Sequence, residues 1–598
     1  MTSMHWDREI DVVVIGTGAG GMAAALTARI EGLSVLLVEK TDCIGGSTAV
    51  SGGVVWAPAN HHAAAVGQPD SVEKALTYLD STVGDATPAP LKRRFVEACG
   101  EMIEYFARHS EVRFAARGQA PDYYPERPGA ALGGRALDPL EFDGRSLGAH
   151  FSKLRVPLSP FLVLGGMMVN TADVKHLLAV TKSFGSWKHG TQLILRYFCD
   201  RLRGYSRGTR LVLGNALAGR LLRSLLDRGV EPWLSASVKQ LHTNEDGVQG
   251  VTIEYQGRTA SVRARHGVVV ACGGFPWNAE LRESYFPKPS GPWSMAPEGN
   301  CGDGLRYAQN AGAALGTGHA GPALWAPVSI HSRADGTEVR FPHLVWDRAK
   351  PGLMAVNGAG ERFVNEATSY HEFVLAMRRS HQRVPTVPAY LVCDRDFLRK
   401  WGLGLALPGR RPRGQLIRDG YLHRGDTLRE LATRLNINPD QFEASVGRFN
   451  VAAARGEDPD FGKGGDAYNR YLGDPGHEPN PCLAPLARAP FYAVAVYPGD
   501  IGTALGIRCD EDARALDATG QVIRGLYVAG NDMHSVMGGH YPGAGITLGP
   551  ALTFGWLAGR HLARSTESAS TPEKAIWLTR KESDPNRDAA TCTSHSEG

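Results

Sequence analysis

Apolar runs and Ala-rich stretches alternate at the start of the chain. Residues 12–15 are a short apolar run, the pattern of a strand buried on both faces. Residues 22–29 are Ala-rich and suit a helix, and residues 33–38 form a second apolar run. The order predicted is strand, helix, strand. Residues 70–110 carry apolar positions three and four apart (Ala75, Leu76, Leu79; Phe95, Met102, Ile103, Phe106) and predict helix. Residues 119–134 hold too many Pro and Gly for a long helix, with Tyr123 and Tyr124 at their centre. Residues 210–234 predict a helix that ends at Gly229 and feeds a strand. Residues 251–255 and 261–265 predict a hairpin. Residues 268–274 predict a further buried strand ending in two glycines, and residues 525–530 another that ends in Gly. Residues 550–560 are helical, with Pro550 well placed at the start.

The first turn carries chemistry. Gly16, Gly18 and Gly21 form G-x-G-x-x-G between the first strand and its helix, and Glu39 ends the second strand. This is a dinucleotide-binding pattern in its proper context. Gly16 makes the tight turn, Gly18 admits a pyrophosphate to the backbone, and Gly21 lets helix and strand pack closely. The helix N-terminus favours the phosphates, and Glu39 can accept from a ribose hydroxyl. The loop at residues 42–60, with Gly45, Gly46, Ser47, Thr48, Ser51, Gly52 and Gly53, is rich in backbone N–H. It is placed to wrap phosphates and then the face of a flavin ring.

At 598 residues the chain is expected to hold two or three domains. The nucleotide domain is split, residues 1–287 and 483–564. A substrate domain at 288–482 is inserted, and a Ser/Thr-rich disordered tail occupies 565–598. The composition, 43% hydrophobic and 21% charged, is that of a soluble globular protein, and a net charge of +4 argues against nucleic-acid binding. No apolar run reaches the roughly 18 residues of a membrane span. The N-terminus has acids where a signal peptide needs apolar residues. Nine scattered Cys, with no C-x-x-C and no metal spacing, fit reduced thiols in a cytoplasm and no metal site. Residues 150–200 hold an apolar patch (Leu158, Phe161, Leu162, Val163, Leu164, Met167, Met168, Val169) followed by basic residues. It is read as a lid, a peripheral membrane contact or an ordinary helical excursion.

The N-terminal pattern, residues 268–274, and residues 525–530 followed by Asn531 and Asp532 together resemble the FAD-dependent fumarate reductase/succinate dehydrogenase flavoproteins. Within that superfamily three stretches resemble the 3-ketosteroid Δ1-dehydrogenases: DYYPE at 122–126, RFVNE at 362–366 with Tyr370, and YPGAG at 541–545. The resemblance covers nearly all the chain except the tail. His534–His540, just before Tyr541, departs from the steroid pattern. The fold implied is α/β, a Rossmann-like FAD domain split in sequence around an inserted α+β catalytic domain. The cofactor implied is non-covalent FAD, since no His or Cys lies in residues 44–60. Its contacts are implied at Gly16, Gly18, Ala19, Gly20, Gly21, Glu39, Lys40, Gly46, Ser47, Thr48, Ser51, Gly52, Gly53, Val238, Gly273, Asp303, Gly530, Asn531, Gly545, Thr547 and Leu548.

The resemblance also implies roles at the reacting ketone. Tyr541 and the Gly545 N–H hold the carbonyl oxygen, Tyr370 removes the α-proton, and Tyr123 eases that deprotonation. His534 and His540 are read as positioning or core residues, and Asp303 as shaping a turn. The reaction expected is 1,2-desaturation of a 3-ketosteroid or similar polycyclic ketone, with an external electron acceptor. Desaturation at the 4,5-bond of a 5α-steroid is the nearest alternative. A fumarate or urocanate reductase needs Arg to clamp a carboxylate, and residues 538–549 contain none. A non-catalytic flavin module or membrane-associated electron carrier is the remaining alternative.

Overall fold

The parallel strands form where the apolar runs lie. In the computed structural model, which describes residues 5–570 (without side chains at 178 and 565–570), strand β1 (Arg8–Ile15) leads to helix α1 (Ala19–Ile30) and strand β2 (Val35–Val38). Val12, Val13 and Val14 are fully buried, as a strand covered on both faces requires. The loop expected at 42–60 contains a five-residue helix, α2 (Gly46–Val50), because Gly45 and Gly46 at positive φ turn the chain into it. Residues 70–110 are two helices, α3 (Val72–Thr82) and α4 (Ala89–His109). Gly84 at φ 56° and Pro88 at the second N-cap interrupt the expected single stretch.

Helices α5 (Thr171–Leu178) and α6 (Phe184–Leu202) build an excursion. There Met167, Leu193 and Tyr197 form a small core of their own. Helix α7 (Leu213–Leu226) stops short of Gly229. Beyond it Trp233 makes a single bridge to Val38, and a strand begins only at β3 (Ser237–Asn244). Strands β4 (Gly247–Tyr255) and β5 (Arg258–Val270) make the predicted hairpin. The second arm and the run at 268–270 are one strand, however, because a bulge between Ala264 and Gly267 carries the ladder through.

After helix α8 (Asp303–Asn310) a second sheet is built. Its strands are β6 (Ala323–Ser332), β7 (Glu338–Pro342), β8 (Leu353–Val356), β9 (Ala389–Cys393), β10 (His423–Gly425) and β11 (Phe491–Thr503). Helix α9 (Tyr370–His381) lies between β8 and β9, and the short helix α10 (Ala467–Leu472) precedes β11. The order is β7-β6-β11-β9-β8 with β10 also on β11, antiparallel throughout.

The chain then returns to the first sheet with β12 (Arg514–Leu516) and β13 (Val522–Val528) and closes with α11 (Leu548–Ser570). The first sheet runs β3-β4-β5-β1-β2. Strand β13 pairs with the end of β5 and with β12, and β1, β2, β5 and β13 are mutually parallel. The second sheet therefore reaches Thr503, past the expected boundary at 482, because the apolar run at 491–503 lies at its centre. Helix α11 runs six residues past the expected start of the tail, and residues 571–598 lie outside the described ones.

Helices α1 and α11 pack backbone against backbone. A Cβ on Gly555 would lie 2.3 Å from the Gly20 carbonyl oxygen, and one on Gly559 2.7 Å from the Thr27 Cβ. This contact sets the N-terminus of α1 beside Gly530 and the turn before α11, at the C-terminal ends of β1, β5 and β13. Open α/β sheets bind ligands there.

Candidate active site

The three glycines of the first turn divide the work as their spacing predicts. A Cβ on Gly16 would lie 2.2 Å from the Ala271 carbonyl oxygen, and one on Gly21 2.0 Å from the Gly16 carbonyl oxygen. At Gly18 and at Gly530 a Cβ would meet no atom within 4 Å. Open space therefore lies in front of the α1 N-terminus, where first-turn N–H groups have no intrahelical acceptor. One of them is already used, since Ala19 N donates to Thr48 Oγ1 at 2.9 Å. A Cβ on Gly46 would come within 3.5 Å of the Gly18 backbone. The residues present fit a bound dinucleotide.

Glu39 is buried, and its four acceptor directions are occupied. Oε2 accepts from Thr17 N (3.1 Å) and Oγ1 (2.7 Å), and Oε1 from Thr41 N and Oγ1 (both 3.0 Å). A ribose hydroxyl can bond it only where one threonine hydroxyl turns away. Lys40 donates to Asp303 at 2.5 Å, in the first turn of α8. Burial pulls the Lys40 ammonium down, but the bond to Asp303 and its charge outweigh burial and lift it above the ordinary lysine value. Ser47 Oγ accepts from Asn300, which also donates to the Gly273 carbonyl. The Val238 carbonyl accepts from Tyr307 at 2.5 Å. Ser51 closes its own turn by bonding the Thr48 carbonyl, while Gly53 at φ 73° lies against Leu213 and Gly214, where no side chain fits. Asn531 lines a cleft with Thr503, Gly530, His534 and Thr547, and Leu548 opens α11 beside it.

Sequence reasoning passed over Asp532 as a functional residue. Its buried carboxylate accepts from the backbone N–H of Cys272, Gly273 and Gly274 and so shapes the turn after β5. Burial pushes it up to about 6, against the pull of those three bonds.

The residues expected at the ketone converge from three parts of the chain. Tyr123 Oη donates to Tyr370 Oη at 3.1 Å. The Tyr541 ring stacks on Tyr123 (centroids 5.5 Å, planes 10° apart) and meets Tyr370 edge-on at 5.0 Å. A fourth ring, Tyr468 of α10, stands 4.7 Å from Tyr123. No motif marks it in the sequence. All four are buried, and burial lifts every one above the ordinary tyrosine value. Gly545 holds φ 95°, its carbonyl accepts from Trp56 N at 3.1 Å, and its own N–H makes no hydrogen bond among the described residues. Tyr541 and Gly545 thus offer donors four residues apart on one turn.

Each tyrosine is fixed by its surroundings. Asp122, next to Tyr123, accepts from Trp56 Nε1, Ala131 N and Arg135 Nη1, all within 2.9 Å. Arg135 in turn grips Asp70. Tyr123 N donates to the Pro542 carbonyl and ties this loop to the one bearing Tyr541. Tyr124 instead donates to Glu372 at 2.8 Å. Tyr370 is the first residue of α9, after the N-cap Ser369. Arg348 holds the approach to it, with its guanidinium donating to the carbonyls of His343, Leu344, Glu366 and Thr368. No sequence pattern distinguished Arg348. His371 Nδ1 accepts from Trp325 N at 3.2 Å, and burial pushes the ring down to about 3, so it stands neutral beside Tyr541. Among the described residues neither ring nitrogen of His534 has a hydrogen-bond partner, and burial pushes the ring down to about 4.

Of the apolar patch at 158–169, Met167 and Met168 are buried, Leu164 is exposed, and Leu158, Phe161, Leu162, Val163 and Val169 are half-buried. Among the described residues all eight cysteines are free, no group of side chains could hold a metal ion, and no helix is long and apolar enough to cross a membrane.

Known proteins resemble the chain over nearly its full length. The model of the FAD binding domain family matches residues 11–548. The 4-oxocyclohex-2-ene-1-carboxylate 5-dehydrogenase of Sinomonas cyclohexanicum is 39% identical over 558 residues, 93% of this chain and 94% of that one. The 3-oxosteroid 1-dehydrogenase of Mycolicibacterium smegmatis is 36% identical over 579 residues, 94% of this chain and 98% of that one. Among solved structures, the 3-ketosteroid delta1-dehydrogenase from Sterolibacterium denitrificans, in complex with 1,4-androstadiene-3,17-dione, superposes with a TM-score of 0.87 at 39% identity. It covers 93% of this chain and 100% of its own.

Proposed function

We propose, for a chain that belongs to the FAD-binding flavoprotein family and is an FAD-dependent dehydrogenase, that its reaction is the 1,2-desaturation of a 3-ketosteroid or similar polycyclic 3-ketone. When bound, FAD supplies the acceptor for the hydride that leaves the ring. The cradle of Gly16, Gly18, Gly46, Gly530 and the turn before α11 would hold it, without a covalent bond. Tyr541 O–H and Gly545 N–H hold the C3 carbonyl oxygen and stabilise the charge that develops there. Tyr370 takes the proton from C2, and Tyr123, 3.1 Å away, donates to the phenolate as it forms.

The observation that carries this reading is the buried Tyr123–Tyr370–Tyr541 cluster beside the free N–H of Gly545. It suits a neutral ketone. Two arginines stand by the cluster: Arg348 is bonded to four carbonyls and Arg117 grips Asp138 with two bonds, so neither leaves a fork for a carboxylate. The Sinomonas relative, named for a cyclohexenone carboxylate, supports a monocyclic keto acid as the second reading. An external acceptor completes the cycle.

A substrate panel with products identified by mass and NMR tests this. A 4-ene-3-ketosteroid should give the 1,4-diene, since its 4,5-bond is already oxidised. Turnover only of 5α-saturated steroids to the 4-ene would overturn the regiochemistry. Turnover only of a cyclohexenone carboxylate would overturn the substrate class.

A further inference from the structure

Helix α6 shows solvent the wrong face for a surface helix. Its inner positions, Ser186, Gly190, Leu193, Tyr197 and Asp200, are buried. Tyr197 Oη donates to the Leu164 carbonyl at 3.0 Å, and Asp200 accepts from Thr209 N and Oγ1, both at 2.8 Å. The opposite face should be polar. It carries Phe184, Trp187, Leu195, Phe198 and Leu202, which are 77%, 52%, 59%, 51% and 87% exposed. At about 100° per residue these five fall within an arc of roughly 80°, one apolar stripe along the helix with Thr191 between Trp187 and Leu195. Single exposed apolar residues are ordinary, but a stripe of five large ones marks a binding surface.

Charge decides what covers it. Residues 151–210 contain ten Lys and Arg and only two acids, Asp173 and Asp200, a net charge of +8 within a chain whose whole charge is +4. Both acids are buried and turned inward. Asp173 bonds His189 and Arg210, and Asp200 bonds Thr209. Lys153, Lys182, Lys188 and Arg203 are exposed, with no carboxylate within ion-pair distance among the described residues. A second copy of this surface would set these unpaired cations against one another. Phe, Trp and Leu along one side of a helix with Lys and Arg around them is the pattern of a helix that lies in a lipid interface. At 19 residues, with buried polar groups on its inner side, α6 lies along a bilayer and does not cross it.

We propose that α6 is a membrane-docking helix, which seats its outward apolar stripe in the interface of an anionic lipid bilayer while the flanking lysines and arginines meet the headgroups. The proposal rests on α6 and the basic residues that flank it, and stands whichever ketone the active site oxidises. The test uses the FAD-loaded protein and sedimentation with sucrose-filled vesicles, of phosphatidylcholine alone or mixed with phosphatidylglycerol. Binding is expected to the mixed vesicles and to weaken as salt shortens the screening length from about 10 Å at 0.1 M to about 3 Å at 1 M.

Trp187 emission, isolated as the difference between wild type and Trp187→Phe, should shift to the blue on binding. The triple variant Phe184→Ser/Leu195→Ser/Leu202→Ser should partition at least about tenfold less, with its melting temperature and flavin spectrum unchanged. Lys182→Glu/Lys188→Glu should weaken binding without touching the stripe, and serves if the triple variant is unstable. Absence of wild-type binding to any vesicle, or undiminished binding of both variants, would overturn the proposal. So would a wild-type dimer in sedimentation equilibrium that the triple variant abolishes, because the stripe would then belong to a second copy.

Discussion

Tyr370 is a weak base as it stands in the site. Burial lifts its hydroxyl well above the ordinary value near 10, and the neighbouring Tyr123 and Tyr541 lift it further. Two features work the other way. The Tyr123 hydroxyl can donate to the phenolate, and Tyr370 opens a 12-residue helix, where the N-terminal dipole favours negative charge. These facts set the sign of the pH dependence. Below pH 10 the phenolate is the minor form and grows about tenfold per pH unit, so the rate of flavin reduction by substrate should climb with pH. Stopped-flow spectra from pH 6 to 9 read this directly, and a rate that falls with pH would remove Tyr370 from the role. Tyr370→Phe should lose roughly 10²–10⁴ in rate and flatten the profile. Tyr541→Phe should lose about 10²–10³ while the slope survives, because it removes a carbonyl donor and not the base. Both should keep a normal flavin spectrum.

Two glycines that the sequence marks alike behave differently once the elements are assembled. Gly545 cannot carry a side chain: at φ 95° its Cβ would lie 2.5 Å from the Val54 carbonyl oxygen. Gly545→Ala should therefore disturb the turn before α11 and test folding more than chemistry. Gly18 sits at φ −69° with free space around its Cβ. Gly18→Ala should leave the melting temperature of the apoprotein unchanged and weaken FAD in a titration, since the methyl meets only the cofactor. Equal FAD affinity would refute the phosphate assignment.

The strand, turn and helix around Gly18 were legible because glycine spacing and apolar runs act within some thirty residues. The three tyrosines and Gly545 were legible only through a family likeness. Tyr468 and Arg348 were not legible at all, because folding alone brings α10 and the segment before β8 to the cluster. The apolar pattern cuts the second sheet short because β11 pairs with strands about a hundred residues or more earlier. The stripe on α6 also escaped, since apolar residues at helical spacing look the same whether they face in or out. What separates the cases is the range of the contact that fixes each residue.

Across the whole molecule, acid stability depends on histidines that folding keeps neutral. His371 is pushed down to about 3 from an ordinary 6.5, first by burial, and its Nδ1 must stay unprotonated to accept from Trp325 N of β6. It therefore joins the second sheet to the tyrosine cluster. Between pH 6.5 and about 3 the unfolded chain binds a proton at this position that the folded chain refuses. Stability from this group is full above pH 6.5 and declines as pH falls, by about 1.4 kcal/mol per unit. His534, pushed down to about 4, acts in the same direction. Asp532 acts in the opposite one. Burial pushes it up to about 6, so the folded state gains from its protonation as pH falls from about 6 to 3.8, which offsets one of the two histidines. Together these three groups lose about one proton's worth of stability per pH unit over that window. His371→Asn keeps an acceptor for Trp325 N but has nothing to protonate. Between pH 7 and pH 5 the variant should lose about 2 kcal/mol less unfolding free energy than wild type in urea titrations. Equal losses in the two proteins would show that His371 titrates normally and that the sheet-to-site contact does not hold it neutral.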